Sequence, residues 1–102
     1  MPWGSFVNEL PPAAFLAIHL AAFAVGAGCA WTAHKRGLGL LGGAFSLFAA
    51  AEISYMTYHL DWTVFLFAHT ISEVLDLVAF ILVFVGSTQR LAGGTRATAS
   101  RA

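Results

Sequence analysis

Three long apolar runs, separated by two short polar turns, dominate this sequence of 102 residues. They cover about residues 12–33, 38–60 and 63–86, and a helix of roughly 20 apolar residues crosses a bilayer core about 30 Å thick. Charged residues make up only 10% of the chain, whereas a soluble domain carries about 25%. We therefore predict an all-α integral membrane protein with one three-helix transmembrane domain over 1–88. Residues 89–102 are predicted to form a flexible, basic cytoplasmic tail.

The basic residues predict the orientation. All five lie either between the first two runs or after the third: Lys35, Arg36, Arg90, Arg96 and Arg101. Because cytoplasmic loops of membrane proteins are enriched in Lys and Arg, we expect the N-terminus outside and the C-terminus in the cytoplasm. The expected location is the cytoplasmic membrane of a prokaryote. Net charge is zero, and no basic stripe exists to neutralise phosphates, which argues against a nucleic-acid partner.

Small residues and turn residues predict where the helices pack and end. Ala22, Gly26 and Ala30 lie four apart and favour close approach of a neighbouring helix, and Gly39 and Gly43 offer a second such contact. In the turn before the third helix, Asp61 or Thr63 is a candidate N-cap. The pair Gly86–Ser87 is predicted to end the third helix.

A stripe of ionisable residues interrupts the third apolar run. His69, Glu73 and Asp76 share one helix face with Ser72 beside them. Each ionisable group would cost several kcal/mol if it were left unpaired in lipid. The stripe must therefore face protein, water or a bound ion, and a functional site is the default hypothesis.

The other two runs carry similar residues at similar depth. His19 shares its face with small residues, and Glu52, Tyr55 and His59 form a stripe on the second helix. At 1.5 Å per residue, His19 and His69 lie roughly 9 Å from the outer ends of their helices. We expect a bundle that brings His19, Glu52, His69 and Glu73 together as metal ligands. Asp76, His59, Tyr55 and Ser72 are the expected proton-relay or outer-shell residues.

Two kinds of chemistry suit such a set of residues. Imidazoles and carboxylates bind zinc, iron, manganese or copper, and the same groups can pass protons inside a membrane. A simpler interpretation is that one buried Glu–His pair holds two helices together, which contributes about 1 kcal/mol per hydrogen bond.

A redox anchor is a third interpretation of these residues. His19 and His69 at matched depth could ligate a b-type haem, although haem is less favoured than a metal ion because Glu52 and Glu73 lie beside the expected ring. Three spans of this size resemble the membrane anchors of succinate dehydrogenase, in size and topology only. That resemblance implies a haem- or quinone-binding role. The arginine- and serine-containing motifs expected around such a quinone site are absent.

The chain carries no motif of an independent enzyme, because it has no glycine-rich phosphate loop, nucleophile elbow or Cys-x-x-Cys. We expect a small accessory subunit of a larger membrane complex, in which the His/carboxylate cluster binds a metal ion or relays protons. The alternatives are the redox anchor and a purely structural or regulatory subunit. The expected partners are the lipid bilayer and either other membrane subunits or further copies of the chain.

Overall fold

The computed structural model describes the backbone of residues 3–101 and the side chains of residues 3–93. This part of the chain is all-helical. A short 3₁₀ helix at Ser5–Glu9 precedes α1 at Pro12–Lys35, α2 at Gly39–His59 and α3 at Phe65–Arg101. The three α-helices are long and apolar enough to cross a membrane, as the sequence predicts.

The turn between α1 and α2 follows the Schellman pattern. The amide of Leu38 donates to the carbonyl of Ala33 at 2.9 Å, and the amide of Gly37 donates to that of His34 at 3.1 Å. Gly37 has a φ of +74°, a conformation that glycine adopts without a Cβ penalty. The basic turn is thus a helix C-cap, and His34 belongs to the last turn of α1.

The turn between α2 and α3 repeats this pattern with a different residue. The amide of Trp62 donates to the carbonyl of Thr57 at 2.9 Å, and the amide of Asp61 to that of Tyr58 at 3.0 Å. Asp61 occupies the left-handed position with a φ of +62°. The hydroxyl of Thr63 pairs with the hydroxyl of Thr57 at 3.0 Å. The N-cap hypothesis for these residues is therefore wrong, because Asp61 ends α2 and Thr63 closes the turn.

The third helix continues beyond the predicted boundary. The predicted end at Gly86–Ser87 is wrong because α3 continues to Arg101. Among the described residues the glycines with positive φ are Gly4 and Gly37, so Gly86 does not form a left-handed cap. It packs against Leu40 and Leu41 of α2 instead. The side chains of Arg96 and Arg101 lie outside the described residues, and the flexibility of the tail stays a prediction.

The helices form an open layer with α2 in the middle. α1 and α3 each pack along α2, but no Cα atom of α1 lies within 8 Å of a Cα atom of α3 in the described chain. The molecule measures 62 × 29 × 21 Å, and a helix with its side chains is about 10–12 Å wide. An α1–α3 groove therefore runs along one face of α2.

Small residues bring α1 and α2 close together. Gly26 and Ala30 are buried, and a Cβ on Gly26 would lie 2.8 Å from Cδ1 of Phe48. This agrees with the close approach predicted on that face. The second predicted contact is found only in part. Gly39 has no neighbour within 4 Å, whereas a Cβ on Gly43 would lie 3.8 Å from Cδ1 of Leu82 in α3, and Gly42 lies against the His34 ring.

Two serines join α2 to α3 in reciprocal fashion. The Ser72 hydroxyl of α3 donates to the Ala51 carbonyl of α2 at 3.0 Å, and the Ser54 hydroxyl of α2 donates to the Ala68 carbonyl of α3 at 3.1 Å. Ser72, Ala51 and Ala68 are almost fully buried. The small side chains allow the backbones to come close enough for these bonds, and the bonds hold the register of the two helices.

Candidate functional site: a polar groove between α1 and α3

Ionisable residues from all three helices lie along the α1–α3 groove, among them His19, Glu52 and Asp76. The α2 face that forms the floor of the groove contains both apolar and ionisable residues. They are spaced three or four apart, which places them on one helix face: Phe45, Phe48, Glu52, Tyr55 and His59. The half of the groove towards His59 is filled by side chains that touch one another, and the half towards Val83 is an open cleft.

The strongest polar contact joins α1 to α2. The Nδ1 atom of His19 lies 2.5 Å from Oε2 of Glu52. Glu52 is only 8% exposed, and the His19 side chain is partly exposed. A hydrogen bond to a carboxylate inside a low-dielectric helix contact is stronger than the same bond in water. Two of the four predicted ligands are thus brought together.

Tyr55 lies between the two halves of the predicted cluster. Its ring stacks on the His19 ring at a centroid distance of 5.0 Å and lies 6.5 Å from the ring of His69. Its hydroxyl donates to Oε1 of Glu73 at 3.3 Å. Tyr55 therefore connects the His19–Glu52 pair on one side of the groove with the stripe of α3 on the other.

His59 extends the site towards the turn between α2 and α3. Its ring stacks on the ring of His19 at 5.3 Å between centroids and on Phe15 at 4.9 Å. A cavity of about 370 Å³ opens beside it, with Asn8 and Asp61 among its lining residues. This cavity is large enough for several water molecules, so the site has a route to the solvent at that end.

The remaining predicted residues have separate surroundings. Ser72 has its hydroxyl bonded to a backbone carbonyl of α2, which is a helix-packing role. His69 stacks on Phe65 at 5.2 Å. The Oδ1 atom of Asp76 is shielded from solvent and has no hydrogen-bond partner within residues 3–93.

The four predicted metal ligands do not converge. Over the described side chains, no three His, Cys, Asp or Glu residues lie close enough together to hold one metal ion. The physical reason is the open layer: α1 and α3 are separated by α2, and Tyr55 occupies the space between the imidazoles of His19 and His69. The same tyrosine stands where a haem shared by these two histidines would lie. Metal and haem binding stay predictions that this geometry does not favour.

Sequence reasoning missed two contributors to the site. Phe15 lies four residues before His19 and stacks on His59, and Tyr58 packs edge-on against His59 and Phe65. The four-residue spacing of Phe15 and His19 is a signal that places both on one helix face. The role of Tyr58 had no such signal, because its partners lie on its own helix and on α3.

No family model, no curated protein and no solved structure matches this chain. The arrangement contains a hydrogen-bonded acid–imidazole pair, a second imidazole at a solvent cavity, and a phenol that reaches a further carboxylate. Each of these groups can bind and release a proton.

Proposed function

We propose that this protein is an integral membrane subunit that accepts protons from the outer face and passes them to a larger membrane assembly. The observation that carries the proposal is the 2.5 Å contact between His19 and Glu52, with the rings of His59 and Tyr55 both stacked against the His19 ring. Intramembrane carboxylates and histidines that face one another are typical of proton relays.

Insertion into a membrane is supported by the three apolar helices. The N-out orientation is supported by the distribution of cations. Lys35 and Arg36 lie at the end of α1, and Arg90 lines the same cavity as residues 37–41, which form the end of the α1–α2 turn and the start of α2. These cations therefore mark one end of the molecule, and the outer cavity beside His59 marks the other. The positive-inside rule then assigns the first end to the cytoplasm.

The proposed proton path has a defined beginning. Water in the outer cavity reaches His59, and a proton moves from there to His19 by ring rotation or through one water. Glu52 stabilises the charged imidazole, since an opposite charge in direct contact favours the charged form. Tyr55 offers a branch to Glu73 through its hydroxyl.

The role as a subunit is supported by where this path stops. Beyond the depth of Asp76, the apolar runs contain no acidic residue, basic residue or histidine, so this chain alone has no groups to carry a proton across the rest of the membrane. Glu73 is exposed on the groove, and an exposed carboxylate at membrane depth is expensive unless a partner, water or a lipid headgroup covers it. A neighbouring subunit would both cover Glu73 and continue the path.

Infrared spectroscopy of the protein in nanodiscs tests the proton chemistry. A pH jump applied to wild type should change the carboxyl band of Glu52, assigned by its loss in Glu52→Gln. His59→Ala should slow that response, because it removes the group at the cavity. The Glu9→Gln variant is a matched control, since Glu9 is exposed and outside the apolar helices. A Glu52 band that never responds to pH while the protein stays folded contradicts the proposal.

Cysteine labelling tests the orientation separately. In a Cys29→Ser background, Trp62→Cys should react with an impermeant maleimide from the periplasmic side of intact cells. Gly39→Cys should react only after the membrane is opened. The reverse pattern would refute the N-out orientation without touching the proton chemistry.

A further inference from the structure

The inner half of the α1–α3 groove is an apolar cleft of about 430 Å³. It has walls from α1 and α3 and a floor from α2, and it is open because the outer helices do not touch each other. Its lining contains a single carboxyl group, that of Asp76, and no basic side chain, among mostly aliphatic and aromatic residues. Prominent among these are Val25, Phe45, Phe48, Phe80 and Val83. Small-molecule sites typically have this size and this combination of apolar walls with one or a few polar groups.

The carboxyl group of Asp76 is the polar group in the cleft that lacks a hydrogen-bond partner among the described residues. Its Oδ1 atom is shielded from solvent and makes no hydrogen bond to any described residue. Buried polar atoms in proteins almost always have a partner, and an orphan needs an explanation. A carboxyl oxygen accepts hydrogen bonds and attracts cations, so its complement is a donor group that carries positive charge.

Within residues 3–93 the chain does not supply that complement. No Lys or Arg occurs between Arg36 and Arg90, and both lie at the far end of the molecule from the outer cavity. A second copy of the chain would bring its own Glu73 and Asp76, but no Lys or Arg at the depth of Asp76. Like charges at close range repel, so the groove is a poor surface for self-association.

We propose that this cleft binds a lipophilic amine, with the ammonium group on Asp76 and the apolar body between Phe48 and Phe80. The ammonium group donates to the orphaned oxygen and neutralises its charge. The aromatic walls add contact with the hydrocarbon part and, where a ring faces the ammonium, a cation–π attraction. This site is separate from the His19–Glu52 pair and does not depend on proton transfer.

Cys29 gives the experiment a local probe, because it lines the cleft and is the single cysteine of the chain. The protein in a neutral detergent is alkylated with N-ethylmaleimide in the presence of 1-naphthylmethylamine or its neutral analogue 1-methylnaphthalene. The amine should slow alkylation of wild-type protein strongly, and the neutral analogue should have little effect. In Asp76→Asn, half-protection should need at least about tenfold more amine, as expected for a lost charge-assisted contact.

Controls keep the result specific. Glu9→Gln removes a carboxylate far from the cleft and should behave as wild type. Asp76→Glu should restore part of the protection. Val25→Trp narrows the cleft while it retains Asp76, and it should also lose protection, with helicity checked by circular dichroism. A shift of the Asp76 carboxylate infrared band on addition of the amine to wild type, assigned with Asp76→Asn, supports the same site independently.

Three results would overturn the proposal. The amine could fail to protect Cys29 in wild type, or it could protect Asp76→Asn equally well. The neutral analogue could also protect as well as the amine, which would make the cleft a general site for apolar chains. None of these results bears on the pH response of Glu52, so this inference and the proposed function are tested separately.

Discussion

The imidazole of His19 and the carboxylate of Glu52, 33 residues apart in the chain, meet at 2.5 Å across the contact between α1 and α2. Glu52 is almost buried and His19 is the partner that satisfies it. The pair is therefore both a helix–helix contact and the centre of the candidate proton site. The first role affects the stability of the fold, and the second affects proton binding.

We expect the two residues of this pair to be energetically coupled. His19→Ala should reduce the free energy of unfolding more than Glu52→Gln, because it leaves a carboxylate in a low-dielectric contact without its partner. The double variant should lose less than the sum of the single variants, with a coupling of about 1–2 kcal/mol. Steric trapping in bicelles measures all three. Strict additivity would show that the two side chains do not interact.

Gly26 and Gly28 should respond to alanine with opposite signs. A Cβ on Gly26 would press on the ring of Phe48, whereas Gly28 has no neighbour within 4 Å. Gly26→Ala should destabilise the protein by about 1–2 kcal/mol through overpacking. Gly28→Ala should stabilise it by about 0.5–1 kcal/mol, since alanine is the better helix former. Equal effects at both positions would mean that α1 does not approach α2 through Gly26.

The reciprocal serines should contribute to the α2–α3 contact. Ser72→Ala removes a hydrogen bond between helices and should reduce the free energy of unfolding by about 0.5–1.5 kcal/mol. Ser46→Ala is the matched control, because its hydroxyl donates to the Gly42 carbonyl of its own helix and its loss should cost less. A larger loss at Ser46 than at Ser72 would contradict this assignment.

Asp61 adopts a left-handed conformation at the end of α2, where glycine has no steric penalty. Asp61→Gly should therefore stabilise the protein by about 0.5–1 kcal/mol despite the gain of flexibility in the unfolded chain. Asp61→Asn should be close to neutral, because asparagine tolerates this conformation, and Asp61→Val should be destabilising. Thermal unfolding in detergent ranks the three variants. A destabilised Asp61→Gly would indicate that the carboxylate itself has a role at the cavity beside His59.

The hydroxyl of Tyr55 should affect the hydrogen bonding of the Glu73 carboxylate but have little effect on the stability of the fold. Tyr55→Phe preserves the ring between His19 and His69 but removes the donor to Glu73, so the stability should change by less than about 1 kcal/mol. The infrared carboxyl band of Glu73 should shift in Tyr55→Phe and remain in place in Tyr58→Phe. An unshifted band in the first variant would show that the two groups are not connected.

The local chemistry of the chain made part of this structure predictable. The apolar runs indicate three helices because a spanning helix satisfies its own backbone hydrogen bonds, and Gly26 indicates a close contact because it has no side chain. The stripe of His69, Glu73 and Asp76 could also be read directly, since helical spacing places these residues on one face. The end of α3 was not predictable in the same way. Gly86 resembles a helix terminator, but its actual neighbours are Leu40 and Leu41, which the sequence does not reveal.

By itself, the sequence of this protein determined which faces of its helices are polar, because that depends only on the 3.6-residue period of the α-helix. The tertiary structure alone decided which of those faces meet. Since α1 and α3 pack on α2 without touching each other, His19 reaches Glu52, Tyr55 separates it from His69, and Asp76 is left in a cleft of its own. Packing between helices depends on side-chain shapes on two surfaces at once, and no single run of residues contains that information.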